Sequence, residues 1–258
     1  MNNLDNIKYF IVFIGYARSG HSIFGSLIDA HKNAAVSHEI RTVDLVIDGQ
    51  NQDHIIQKII NNTQAYGEHG RLQVNKKAGK TDSYDYTVPN EWQGKFENLA
   101  IIGDKSGGLT TRRIHSNFDV LKKIQNTIKY PIKWIHVVRN PFDIITTGCK
   151  RKGSKLSDKN IKTFNARCKI NKKIIDAVGA ENVLTIKHEH LIDNARSALV
   201  EICNFLELDP YESFLVNAAS IVYNKPHKSR HSIKWSKEHI NNLQKVIDRF
   251  EFLNGYSY

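Results

Sequence analysis

Short apolar runs rich in β-branched residues recur along the chain at about 9–14, 34–37, 98–103, 132–138 and 182–187. Their length and composition predict strands. Between them, apolar residues fall at helical spacing over about 20–31, 52–65, 109–127, 141–149 and 158–178. Strands alternating with helices predict an α/β fold: a doubly wound, mainly parallel central sheet flanked by helices. The pattern then becomes helical only, at about 194–206, 210–222 and 236–251, so a helical C-terminal third is expected. In the last of these, Ser236 is a candidate N-cap, and Ile240, Leu243, Ile247 and Phe250 form one apolar stripe. At 258 residues the chain is long enough for a sizeable core and is read as a single domain, 1–258.

Residues 66–96 interrupt this alternation with a polar, glycine-spotted stretch carrying scattered aromatics and no clear period. Such a segment is either a binding loop or lid, here on the acceptor side of a site, or a surface insertion. A second basic stretch, KRKGSK at 150–155, follows a helix end and reads equally well as a solvated loop.

The first strand runs into GYARSGHS at 15–22, which opens directly into a helix. Glycines permit a tight backbone, successive N–H groups face one concavity, and the helix start adds partial positive charge, so the turn is a candidate anion cradle. Gly15 and Gly20 have the spacing of a nucleotide triphosphatase loop and Ser22 takes its hydroxyl position. His21, however, stands where that loop needs lysine, and the permanent cation is Arg18, inside the turn.

Three further elements carry cations. The strand Ile135 to Val138 ends at Arg139, with Asn140 as a cap, Pro141 at the first helical position and Asp143 in the first turn. The strand of AIIGDKSGG runs out into Lys105 and Ser106, and NKPHKSRHSIKW at 224–235 carries Lys225, Lys228, Arg230 and Lys234. Carboxyl ends of parallel strands are where such sheets bind ligands. Together, Arg18, Lys105, Arg139, Lys228 and Arg230 imply a ligand with two separated anionic groups.

Composition is that of a water-soluble globule, 40% hydrophobic and 24% charged. The net charge of +11 predicts affinity for an anionic partner without naming it. Three widely spaced cysteines, Cys149, Cys168 and Cys203, make neither a metal motif nor a disulfide framework. With no signal-peptide pattern and no run of bilayer-spanning length, a cytoplasmic location without a membrane span is expected.

GYARSGHS, DKSGG, VVRNPFDIITT, IKHEHLIDNARSALVEICNFLEL and the late basic loop before Trp235 resemble the ordered motifs of sulfotransferases. Those enzymes use 3′-phosphoadenosine 5′-phosphosulfate (PAPS) and release adenosine 3′,5′-bisphosphate (PAP). The likeness runs over nearly the whole chain except 41–97. It implies that Arg18, Ser19, Gly20, His21 and Ser22 hold the 5′-phosphosulfate. Arg139 and Thr147, eight residues apart, would hold the 3′-phosphate, with Lys228 and Arg230 closing over it. Lys105 would lie near the transferring sulfuryl group, and no metal is required.

The chain departs from that pattern in three places. Arg18 replaces the usual loop lysine, Ile23 replaces a tryptophan of many small-molecule members, and Gly107 stands where those members carry a catalytic histidine. The base must then come from elsewhere; carbohydrate-modifying members of the superfamily place a glutamate base near this point, so the resemblance implies Glu39, at the end of the second strand, with His38 as runner-up and a plain ion pair to Arg41 or Lys105 as the alternative. The reading is transfer of a sulfuryl group from PAPS to an acceptor hydroxyl, or in second place an amine; the basic surface and the glutamate point toward an acidic or carbohydrate acceptor, with lipids, polyketides and small alcohols left open. A P-loop kinase or nucleotide triphosphatase is the first rival. A basic nucleic-acid-binding module is the second, though no stacking platform or recognition helix supports it, and no nucleic-acid partner is expected. His188, Glu189 and His190 lack a third ligand at metal spacing, so Glu189 is read as ordering a helix start.

Overall fold

A computed structural model describes residues 4–70, 76–77 and 84–258. Five strands, β1 (Tyr9–Gly15), β2 (Ala34–Ser37), β3 (Ile101–Asp104), β4 (Ile132–Val138) and β5 (Val183–Lys187), form one sheet in the order β2-β3-β1-β4-β5. Every pairing is parallel. The expected mainly parallel sheet is thus parallel throughout.

Alternation within the strands explains why both faces are covered. Ile11 and Phe13 of β1 join one core cluster, whereas Phe10, Val12 and Ile14 join the other. A strand buried on both faces must read as a continuous apolar run, which is why β1 was visible. The first face is packed by α1 (His21–Asp29), α9 (Ala195–Leu206) and α10 (Glu212–Ser220). The second is packed by α2 (Thr42–Ile47), α3 (Gln52–His69), α4 (Gly107–Ser116), α5 (Asp119–Thr127) and α7 (Asp158–Val178). A third cluster gathers α6 (Pro141–Lys152), α7 and α11 (Lys237–Ile247). The short α8 (His188–Asp193) links β5 to α9.

After β1 the chain passes beyond β3 to lay down β2; after β3 it crosses β1 to reach β4. Connections therefore diverge between β1 and β4, and a crevice opens there at the carboxyl edge.

Local sequence accounts for most element ends. Ser236 caps α11 by accepting from the His239 N–H at 3.1 Å, and Asn140 caps α6 by accepting from Phe142 at 3.0 Å. The helix expected over 109–127 is instead two. Asn117 is extended (φ −151°) and its side chain accepts from the Asp119 N–H at 3.0 Å, restarting the helix as α5. The six-residue α2 and α8 were not foreseen, being too short to show a period. Of 66–96, the described part comprises the end of α3, Lys76 and Lys77, and an irregular run over 84–96. Gln93 holds that run in place by accepting from Val88 and donating to the carbonyls of Tyr86 and Ser26. Residues 71–75 and 78–83 lie outside the described residues. All three cysteines are buried and free. No helix among the described residues is long and apolar enough to cross a membrane.

Candidate functional site

At the carboxyl edge of the sheet, the ends of β1, β2, β3, β4 and β5 open on one cleft of about 770 Å³. Taken across the sheet in strand order, they contribute Glu39, Lys105, the loop over 15–20, Arg139 and His188.

The loop after β1 is shaped by its own short contacts. The Ser19 N–H and hydroxyl both donate to the Tyr16 carbonyl, at 3.2 and 2.8 Å, which buries Ser19 beneath the turn. Arg18 takes a left-handed backbone (φ 77°), and Gly20 follows at φ 97° with its Cα face against the His188 ring. A Cβ on Gly20 would lie 2.1 Å from that ring, so only glycine fits. The first turn of α1 leaves N–H groups at Gly20, His21 and Ser22 without intrahelical acceptors, and Arg18 of the same turn lines the cleft with them. An anion is the natural partner for that arrangement.

His21 does not act as a cation here. Its ring is buried, with Nε2 3.1 Å from the Ile14 carbonyl and Nδ1 3.2 Å from the Ser19 hydroxyl. Burial, reinforced by the nearby Lys105 charge, pushes its pKa down to about 4. The ring fills the space beside Gly107, where a Cβ would stand 2.3 Å from Nε2. Gly107 and His21 are thus a matched pair, one vacating the volume that the other occupies.

The loop's second cation comes from β3. Lys105 is 3% exposed; its stem lies across Gly25 of α1, 2.8 Å from where a Cβ would be. Its ammonium donates to the Ser22 hydroxyl at 2.9 Å and to Glu39 Oε1 at 3.0 Å. Glu39 is 55% exposed at the mouth of the cleft. Its backbone is left-handed (φ 59°), as is that of Arg41 (φ 64°), and Asp104 holds this bend. Asp104 accepts from the N–H groups of Ile40 and Thr42 and from the hydroxyls of Ser37 and Ser106. Those four bonds occupy both carboxylate oxygens. In a nucleotide triphosphatase an aspartate at a strand end holds magnesium, whereas here it ties down the segment carrying Glu39. Among the described residues no group of three His, Cys, Asp or Glu side chains has metal-binding geometry.

Arg139, at the end of β4, spans two loops. It donates to the Arg18 carbonyl at 3.2 Å and to the His227 carbonyl at 2.8 Å. Thr147 faces the same cleft one and a half turns into α6, its hydroxyl 3.0 Å from that of Ser229. Glu189 orders the start of α6 and not of its own α8: it accepts from the Asn140 N–H at 2.9 Å and from the Tyr256 hydroxyl at 2.6 Å. His190 pairs instead with Glu201.

Four expected residues do not line the cleft: Ser19, buried beneath its own turn, and three that lie elsewhere. Arg230 is buried, and its guanidinium is taken up by Asp143 (2.8 Å) and the Ser257 carbonyl (2.7 Å). It pins the late loop to α6 and does not line the cleft. Lys228 also falls outside the lining. His38 is buried and stacked on Tyr66 at 4.2 Å, away from the cleft wall that Glu39 reaches.

The cleft also contains residues that the sequence reading passed over. Arg151 lies four residues beyond Thr147, on the same face of α6. Arg112 of α4 and Arg167 of α7 line the opposite side. Spacing could have flagged Arg151, but nothing local marks Arg112 or Arg167. The remaining wall is apolar and aromatic: Ile23, Leu191, Ile192 and Val222, with Tyr223 tilted against Tyr84, ring centroids 4.8 Å apart.

Buried titratable groups make stability depend on pH in opposing senses, with His21, His136 and His188 on one side and Asp29 and Asp104 on the other. Burial pushes His136 and His188 down to about 3, and His21 to about 4, so all three fold neutral. Their contribution is complete above the unfolded value near 6.5 and is lost as pH falls below it, because the unfolded chain takes up protons first. Asp29 runs the other way. Burial raises it to about 7, although Thr63 and the Val36 N–H both donate to it. Its contribution is complete below about 3.8 and is lost as pH rises through about 7. Urea midpoints are expected to fall between pH 6.5 and 5, and to fall more steeply in Asp29→Asn, which removes one of the opposing groups.

No protein-family model and no curated protein sequence matches the chain. Solved structures do match. The sulfotransferase domain of the Synechococcus PCC 7002 olefin synthase superposes with a TM-score of 0.57 at 14% identity, over 95% of this chain and 94% of that one. The sulfotransferase domain from the curacin biosynthetic pathway gives 0.51 at 13%, over 95% and 98%. A sulfotransferase from Alicyclobacillus acidocaldarius gives 0.51 at 14%, over 98% and 97%. The chain has the sulfotransferase fold.

Proposed function

We propose that this protein is a sulfotransferase that takes its sulfuryl group from PAPS and delivers it to an acceptor hydroxyl, with Glu39 as general base. The observation that carries the reading is the convergence of three strand ends on one cleft with cationic groups at two separate places. Arg18, Lys105 and the N–H groups opening α1 stand at one; Arg139, Thr147 and Arg151 stand at the other. A nucleotide anionic at both its 5′ and 3′ positions fits that spacing of charge. The apolar wall of Ile23, Leu191, Ile192 and Val222, of which Leu191 and Ile192 belong to α8 after β5, suits its flat base.

When bound, PAPS supplies a sulfuryl group activated by its anhydride link to phosphate. The chain's own residues do the rest. The α1 N–H groups, Arg18 and Lys105 neutralise charge on the oxygens of the transferring and leaving groups. Glu39 accepts the proton of the acceptor hydroxyl, and Lys105, bonded to both Glu39 and Ser22, keeps that carboxylate beside the loop. In-line positioning and charge neutralisation are what such transfers require, and no protein nucleophile is needed.

Calorimetric titration with PAP tests the reading. Binding with a dissociation constant in the low micromolar range or tighter, unchanged by magnesium or by a chelator, is expected. Preferential, magnesium-dependent binding of ATP would overturn it in favour of a nucleotide triphosphatase.

A further inference from the structure

Two cleft arginines are left without work by the nucleotide. Arg112, exposed on α4, and half-buried Arg167 on α7 line the cleft from the sheet face opposite to α1 and α10. Among the described residues neither has a carboxylate within ion-pair distance, although the nearby Arg41 and Arg113 both bond to Asp44. The two act on each other instead: burial and the Arg112 charge both lower the pKa of Arg167. Like charges brought together from separate helices, at a partly desolvated position and without an acid between them, form a receptor for an anion.

The strand order indicates whose anion it is. The nucleotide, as proposed, runs from Lys105 at the end of β3 past Arg139 at the end of β4 toward β5. Its phosphates are met along that line by Arg18, Lys105, Arg139, Thr147 and Arg151. Arg112 is four residues beyond Gly108, which packs on Ala17 on the far side of the loop. Thr111, beside Arg112, accepts from the Gly15 N–H and donates to Asn171, and Cys168, beside Arg167, accepts from the Tyr16 hydroxyl, so both arginines flank the turn after β1 from the sheet face opposite to α1, off that line. We propose that the acceptor carries a fixed oxyanion (a carboxylate, sulfate or phosphate group) besides the hydroxyl to be sulfated, and that Arg112 and Arg167 hold it. This rests on the proposed function, because it takes the nucleotide's place in the cleft as given. It narrows the acceptor to anionic molecules and accounts for a cation pair that the donor does not use.

The test uses PAP and tungstate, the latter as a stand-in oxyanion. Titration of the wild-type protein with PAP comes first and reports on the donor site alone. Tungstate is then titrated into the PAP-saturated protein, and crystals of that complex are examined for its anomalous signal. One tungstate bound between the Arg112 and Arg167 guanidinia is expected. The tungstate affinity should fall at least tenfold in Arg112→Ala and in Arg167→Gln, with PAP affinity within threefold of wild type in both. The exposed Arg112 makes its variant safe for folding. A PAP affinity that drops more than tenfold in both variants would assign the pair to the nucleotide and overturn the inference. So would a tungstate-free pair in the PAP complex. Failure of wild type to bind PAP would instead overturn the proposed function itself.

Discussion

Glu39→Gln is expected to lower kcat by about 10²–10⁴ while leaving PAP affinity within a few-fold of wild type. The amide retains the shape of the side chain but cannot take the acceptor's proton. The split between kcat and PAP binding follows from position: Glu39 stands at the end of β2, on the sheet edge beyond Lys105 and away from Arg139. Its left-handed backbone is held through Ile40 and Thr42 by Asp104, not by its own carboxylate, so the turn survives the substitution. The measurement is initial rate with an acceptor that wild type turns over, alongside PAP calorimetry. Turnover within threefold of wild type would show that Glu39 only pairs with Lys105.

Arg139→Ala is expected to weaken PAP binding by roughly 100-fold. A charge-assisted hydrogen bond is worth about 1.5–3 kcal/mol, and tenfold corresponds to about 1.4 kcal/mol. The truncation also removes donors to the carbonyls of Arg18 and His227, loosening both loops that face the nucleotide. Arg139→Lys should recover only part of the loss, since one ammonium cannot reproduce a planar fork that reaches two carbonyls and, as proposed, also holds a phosphate. Calorimetry on the three proteins decides the matter. Equal affinity in wild type and Arg139→Ala would remove Arg139 from the site.

The sheet and the phosphate-cradle candidate were legible because their signals are local. An apolar run buried on both faces, a glycine spacing and a following amphipathic period all lie within a few residues of each other. The cations were legible only in part. Arg18, Lys105 and Arg139 each follow a strand, and strand ends converge by necessity in a parallel sheet. Arg230 carries the same charge in an equally basic loop, yet it turns inward to Asp143, 87 positions away in sequence. Nothing near Arg230 distinguishes a phosphate clamp from a buried ion pair. Arg112 and Arg167 fail for the converse reason. Each is one basic residue on a helix surface, and only the packing of α4 against α7 makes them neighbours. The substitution at position 107 was visible, but its meaning was not, because the histidine filling that volume arrives from the first loop.

Asp104 has one more consequence. Its two oxygens are committed to the backbone that presents Glu39, so this framework cannot recruit the same carboxylate to a cation without releasing the proposed base. On the proposed reading, holding a cation and presenting the base are competing uses of this one buried acid. A descendant of this chain could exchange the first for the second, or the reverse, only by rebuilding the corner where the second strand ends.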